Sequence, residues 1–167
     1  MIRPETSTDL LAIHALVAAA FERADEANLV EALRAAGNLP ISLLYEHSGR
    51  IVGHVGFGPV TLPEQTKSES CGMGLAPLAV EALSRRRGIG AALIRAGVEA
   101  CRARGADFVV VLGEPEYYQR FGFQAAPRFG LRDEYGGGDA FQVMELRTGG
   151  IPRDAGLVRY APQFAEL

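Results

Sequence analysis

Apolar residues along the first third of the chain recur at helical spacing and then switch to alternation. Leu10, Ile13, Leu16, Val17 and Ala20 fall three or four positions apart, so they line one face of a helix. Ser7 or Thr8 is expected to cap it, with Asp9 set against the positive end of its dipole. Leu29, Val30 and Leu33 mark a second helix from about Asp25 to Ala36, stopped by Gly37-Asn38. Met1-Ile2-Arg3, ahead of both, suits a short first strand. From Ile41 the pattern is that of a hairpin, with arms Ile41 to Glu46 and Arg50 to Leu62 around Ser48-Gly49. Gly53, Gly56 and Gly58 are placed to bend or bulge the second arm. Pro63 to Ser70 is polar and unpatterned, and reads as an exposed loop.

The second half alternates strand and helix. Gly74 to Val80 has strand character, and Ile89 to Arg104 carries a helical stripe that Gly105 ends. Phe108 to Leu112 is an unbroken apolar run, as expected of a strand covered on both faces in a parallel crossover. Glu114 to Arg120 predicts a short helix, and Phe121-Gly122-Phe123 turns the chain into the last strands. Gly136-Gly137-Gly138 precedes a strand over Ala140 to Leu146, and the tail from about 148 to 167 reads as irregular, with Val158 and Tyr160 touching a sheet edge. The order β-α-α-β-β-β-α-β-α-β-β predicts one α/β domain over 1–167, a mixed sheet flanked by helices.

Composition narrows the classes. At 167 residues and 48% hydrophobic the chain can bury a core without disulfides or a structural metal. A net charge of −3 gives no positive field to draw it to nucleic acid or an anionic membrane. Cys71 and Cys101 form no CxxC pair and read as small buried apolar residues of a reducing compartment. The start, Met1-Ile2-Arg3-Pro4-Glu5, lacks the basic-then-apolar pattern of a leader, and the expected location is the cytoplasm. His14, His47 and His54 do not share metal-ligand spacing, so no metal is expected.

Chemistry concentrates in Arg85-Arg86-Arg87-Gly88-Ile89-Gly90-Ala91-Ala92. A Gly-x-Gly opens a helix directly after three arginines. Unpaired N–H groups at a helix start suit a phosphate, glycines let it approach the backbone, and Arg85 or Arg87 can add charged hydrogen bonds. A Walker A loop would need Gly-Lys-Ser/Thr, which is absent. A dinucleotide fingerprint would place its glycines almost immediately after the strand and a third where Leu93 stands, whereas seven residues separate Val80 from Gly88. Turn-relaxing glycines beside solvated arginines would account for the tripeptide taken alone.

Arg85-x-x-Gly88-x-Gly90 resembles the Arg/Gln-x-x-Gly-x-Gly/Ala motif of the GNAT acetyltransferases, and Tyr118-Gln119-Arg120-Phe121-Gly122-Phe123 resembles that family's Tyr-x-x-x-Gly-Phe element. The longer run from Val111 to Phe123 is similar to a bacterial branch of predicted N-acetyltransferases. The resemblance implies the acyl-CoA N-acyltransferase fold, with a mostly antiparallel sheet whose fourth and fifth strands splay apart. It implies acetyl-CoA as cosubstrate and transfer of an acetyl or short acyl group to a primary amine by direct attack in a ternary complex. Backbone amides over Arg86, Arg87, Gly88, Ile89, Gly90, Ala91 and Ala92 would cradle the CoA pyrophosphate, with Arg85 and Arg87 alongside. Leu78, Ala79 and Val80 would pair with the pantetheine arm, a backbone N–H near Val80 would stabilise the oxyanion, and Tyr118 would be the general acid. Tyr117 and Phe121 would pack around the CoA chain or the core. Gly113-Glu114-Pro115 departs from the asparagine many relatives carry after the fifth strand.

A second reading keeps the pocket without the chemistry, as an acyl-CoA sensor. The acceptor stays open among polyamine, antibiotic, amino acid, lipid amine and protein N-terminus, with no nucleic acid or membrane partner and room for a homodimer through the C-terminal strands. Glu22, Asp25, Glu26 and Glu31 are candidate bases that read first as solvated helix charges. His54 reads as a hydrogen-bonded strand histidine. Asp133, Glu134 and Asp139 either attract a cationic acceptor or coat a polar turn.

Overall fold

The alternation in the hairpin strands decides which face meets which helix. In the computed structural model, which describes residues 1–66 and 70–167, strands β1 (Ile2–Pro4), β2 (Ile41–His47), β3 (Arg50–Val60) and β4 (Gly72–Val80) pair antiparallel in that order. Leu44 and Ala79 point to one face, where they pack with Ile13, Val17, Ala27 and Val30 of helices α1 (Leu10–Phe21) and α2 (Asp25–Ala35). Val55, Phe57 and Leu75 point to the other, under Leu93, Ile94 and Val98 of helix α3 (Ile89–Ala103). Gly53 lies beneath α3 with so little room that a Cβ would come within 2.9 Å of both Ile89 and Leu93.

Strand β5 (Phe108–Leu112) follows α3 and runs parallel to β4, the expected crossover. The short helix α4 (Pro115–Gln119) leads through β6 (Gln124–Ala125) and β7 (Leu131–Asp133) to β8 (Phe141–Glu145). The seven-stranded sheet runs β1-β2-β3-β4-β5-β8-β6, and every neighbouring pair but β4 with β5 is antiparallel.

The β4–β5 ladder pairs only Gly72–Gly74 with Phe108–Val110. Beyond it β4 carries a register shift against β3 between Val55 and Phe57, opposite Ala76-Pro77, and its remaining residues have no partner on the β5 side. The two strands part there.

Several expectations need correcting. The chain enters α1 through a 3-10 turn, Ser7–Asp9, and neither Ser7 nor Thr8 is the cap. Instead the buried Asp9 accepts the Thr6 N–H at 2.7 Å and pairs with Arg3 through two hydrogen bonds, which hold its carboxyl well below the usual range. Strand β4 begins two residues earlier than expected, at Gly72, where Gly72 and Met73 pair with Phe108 and Val109 of β5. Cys101 is buried and its thiol is pushed up to about 12 by burial, but Cys71 is exposed at the strand start. The tail is part of the core: β9 (Gly156–Val158) pairs parallel with β7, and Val158 and Tyr160 pack with Phe108, Leu131 and Phe141. The loop expected over Pro63 to Ser70 lies partly outside the described residues, at 67–69.

Candidate active site

The start of α3 carries the chemistry expected of it. Arg86 and Gly88 both hold left-handed backbone, with φ of 66° and 77°. A non-glycine residue in that conformation costs energy, so the loop is held by its surroundings. Ser84 Oγ donates to Glu81 at 2.7 Å, and Arg50 donates to the same carboxylate at 2.9 and 3.1 Å. Gly88 serves as N-cap, and among the described residues no side chain caps the helix. Its first N–H groups are therefore open to an external acceptor.

A cleft of about 660 Å³ begins at these amides. Leu78, Ala79 and Val80 form one wall, and Arg85, Arg86, Gly88, Ile89, Gly90 and Ala91 the floor. Arg87 and Ala92 do not line it. Arg85 also braces the site: its Nε donates to the Val80 carbonyl at 3.2 Å and its terminal nitrogen to the Ala20 carbonyl at 3.3 Å. The arginine thus ties the end of α1 to the end of β4.

Ala20, Phe21, Ser84, Tyr117 and Arg120 complete the lining, and of these only Tyr117 is marked in the sequence, by its place beside the Tyr118–Phe123 element. Phe21 follows Val17 by four positions and so continues the apolar stripe of α1, which gave no sign that it faces a cleft. The others depend on how α1 and α4 approach the α3 loop. Tyr117 reaches the cleft beside Gly90, where a Cβ would sit 2.9 Å from its hydroxyl. Arg120 stacks over the Tyr117 ring at 4.6 Å, and Phe121 meets it edge-on at 5.4 Å.

Tyr118 sits apart from the cleft lining. Its ring lies against Gly113 at the end of β5, so closely that a Cβ on Gly113 would be 2.6 Å from the ring. It also meets Phe123 and Tyr117 edge-on at 5.7 and 5.1 Å. Burial, with a smaller contribution from Tyr117, pushes its phenol up to about 12, so it stays protonated at neutral pH. The lack of a side chain at Gly113 is what lets this ring close on the strand end. Glu114 is exposed, and its carbonyl receives the Tyr117 and Tyr118 amides.

A second cavity, of about 310 Å³, opens where the strands part. Leu75 and Ala76 of β4, Leu112 of β5, and Tyr135, Tyr160 and Phe164 surround it. Tyr160 is buried, and its hydroxyl has no hydrogen-bond partner among the described residues.

The remaining candidates have structural partners. Glu26 is buried rather than solvated and is hydrogen-bonded by Arg23, which lowers its carboxyl; Asp25 pairs with Arg23 at 3.4 Å and Glu31 with His14 at 2.8 Å. Glu22 is exposed, and none of these four acids lines either the cleft or the apolar cavity. His54 is a hydrogen-bonded strand residue, with Nε2 2.8 Å from Ser42 Oγ. Asp133 accepts the Tyr135 and Gly137 amides at 3.1 and 2.8 Å and so shapes the turn.

A family model described as an acetyltransferase (GNAT) domain matches residues 1–126. The chain belongs to the GNAT acetyltransferase family. It is 36% identical to the N-acetyltransferase YhbS of Escherichia coli K12 over 166 residues, 98% of both chains. The crystal structure of E. coli YhbS in complex with CoA superposes with a TM-score of 0.91 at 35% identity, covering 99% of this chain and 91% of that one. A GNAT acetyltransferase from Brucella melitensis, solved with acetyl-CoA, gives 0.81 at 34% identity, covering 98% and 97%. The mostly antiparallel sheet and the parting of β4 from β5 follow the expected fold.

Proposed function

We propose that this GNAT enzyme transfers the acetyl group of acetyl-CoA to a primary amine within a ternary complex. The observation that carries the reading is the cleft that joins the uncapped α3 amides to Leu78–Val80, in the stretch of β4 that has no partner on the β5 side. In it, the N–H groups from Arg86 through Ala91 hold the pyrophosphate, with Arg85 and Arg87 adding positive charge, whereas the Ala92 N–H is already given to the Gly88 carbonyl at 3.0 Å. Leu78, Ala79 and Val80 offer their backbone to the amides of pantetheine, as an open strand edge accepts another strand. YhbS and the Brucella enzyme, crystallised with CoA and acetyl-CoA, support the choice of cosubstrate.

The amine nitrogen attacks the thioester carbonyl carbon, giving a tetrahedral oxyanion that a backbone N–H near Val80 stabilises. Collapse breaks the C–S bond and releases the amide. The thiolate is met by a hydrogen bond from Tyr118, which its raised pKa keeps protonated, and takes up a proton through that phenol as the ammonium proton returns to it by way of solvent. Tyr117, on the cleft wall beside Gly90, packs against the CoA chain.

Calorimetry with acetyl-CoA and an assay of thiol release over an amine library test the proposal. Gly90→Glu, which places a carboxylate among the amides, abolishes acetyl-CoA binding. Tyr118→Phe retains binding while kcat falls by about 100-fold. A wild-type chain that neither binds acetyl-CoA at millimolar concentration nor releases thiol refutes the assignment.

A further inference from the structure

The apolar cavity beside the strand divergence bears on the acceptor. It does not overlap the cleft proposed for CoA, and no lining residue is shared. Yet Leu75 and Ala76 belong to the same strand as Leu78 to Val80, a few residues back, and Leu112 is the last residue of β5. A molecule seated there meets a thioester arriving along β4 at the place where the strands open.

The walls specify its chemistry. Leu75, Leu112 and Phe164 are hydrocarbon, and the aromatic rings of Tyr135 and Tyr160 lie 6.5 Å apart. A cavity of about 310 Å³ holds roughly ten non-hydrogen atoms at the room a water molecule takes. Against these walls a polyol or a polyamine would lose its hydration without replacement.

One polar group stands out. The Tyr160 hydroxyl is buried and has no partner among the described residues, although buried hydroxyls are ordinarily hydrogen-bonded. Burial first, and then the nearby Asp133, Tyr135, Tyr118 and Glu134, drive its pKa upward, so it remains a neutral phenol able to donate or accept. Asp133 and Glu134 are already engaged, Asp133 by the Tyr135 and Gly137 amides and Glu134 by the Tyr160 amide and Arg159, so the phenol is the polar group left for a ligand.

Resting on the acetyltransferase reading, we infer that the acceptor is a primary amine carried on a compact apolar body, aromatic or branched aliphatic, which fills this cavity while its amino group meets the Tyr160 hydroxyl. Acetylation turns the amine into a neutral amide.

The test uses the full chain at saturating acetyl-CoA, with thiol release measured for 2-phenylethylamine, isopentylamine, ethanolamine and spermidine. The expected kcat/KM for 2-phenylethylamine exceeds that for ethanolamine by about 30-fold, as burial of a ring requires. Tyr160→Phe keeps the ring packing and removes the orphan hydroxyl. Its KM for the amine rises about fivefold, and its Tm does not fall. Leu112→Lys places a cation at the cavity wall, on a side chain already 41% exposed, and lowers kcat/KM for 2-phenylethylamine about tenfold while the acetyl-CoA Kd is unchanged. Preference for ethanolamine or spermidine, or no turnover of any of the four with acetyl-CoA bound, overturns the inference and leaves the parent reading standing. An unchanged KM in Tyr160→Phe removes the hydroxyl from the assignment and overturns that part of it. Failure to bind acetyl-CoA overturns the parent reading and this one with it.

Discussion

Single side chains here do work that neighbours in sequence would not reveal. Ser42 has one hydroxyl proton and gives it to Glu5, so the facing His54 Nε2 must carry its own hydrogen and donate to Ser42 Oγ. Nδ1 is then a bare acceptor without a partner among the described residues. Burial lowers the His54 pKa to about 4 from an ordinary 6.5, overcoming the attraction of Glu5. Because the unfolded chain takes up this proton near pH 6.5 and the folded chain does not, stability is fully present above that pH and drains away as pH falls toward 4. About 2 kcal/mol is lost between pH 7.5 and 5. Burial alone would raise the Glu5 carboxyl, but hydrogen bonds from Arg34 and Ser42 outweigh it; a carboxyl held below 4.5 acts only at lower pH, so the window from 5 to 6.5 isolates the histidine. Urea midpoints across that window should slope in the wild type and lie flat in His54→Gln. Equal slopes would assign the effect elsewhere. The motif residues were legible because each needs a particular chemistry, an exposed amide or a phenol. His54 was legible only as a strand residue, since its partners come from positions 12 and 49 residues away.

At the scale of elements, the seating of α3 on the sheet matters most, because the same helix bears the phosphate-binding amides at its start. Gly97 touches Phe57 so closely that a Cβ would lie 2.0 Å from its ring, and Phe57 is fully buried with nowhere to turn. Alanine would gain about 1 kcal/mol of helix propensity but forces the helix away from β3. The overlap wins. Gly97→Ala should lose about 2 kcal/mol net, read as a Tm drop of about 4–8 °C, and a rise in Tm would show that Phe57 can yield. Helical and alternating periodicity made α1, α2, α3 and the β2–β3 hairpin readable, within a residue or two at each end. The entry into α1 was misread because Asp9 bonds backward to Thr6 and Arg3 rather than forward into the helix.

Across the whole molecule, the C-terminal segment is the element whose importance exceeds its sequence signal. Val158 and Tyr160 close a cluster with Phe108, Leu131 and Phe141, and Phe164 packs on Tyr160 at 5.1 Å between ring centres. A chain ending at Thr148 would expose Phe108 and Phe141, and should lose its cooperative thermal transition; a sharp transition in that truncation would show the tail to be dispensable. By itself the amino-acid order determined the succession of helices and strands, the Gly-x-Gly helix start and the aromatic turn after β5. Those features rest on local physics: side-chain period, capping, and the freedom of glycine to expose its amide. Tertiary structure alone decided that β4 leaves β5 after three pairs, that Tyr117 and not Tyr118 walls the cleft, and that the tail folds back to enclose an apolar cavity. Such outcomes depend on contacts between residues far apart in the chain, and periodicity holds no record of them.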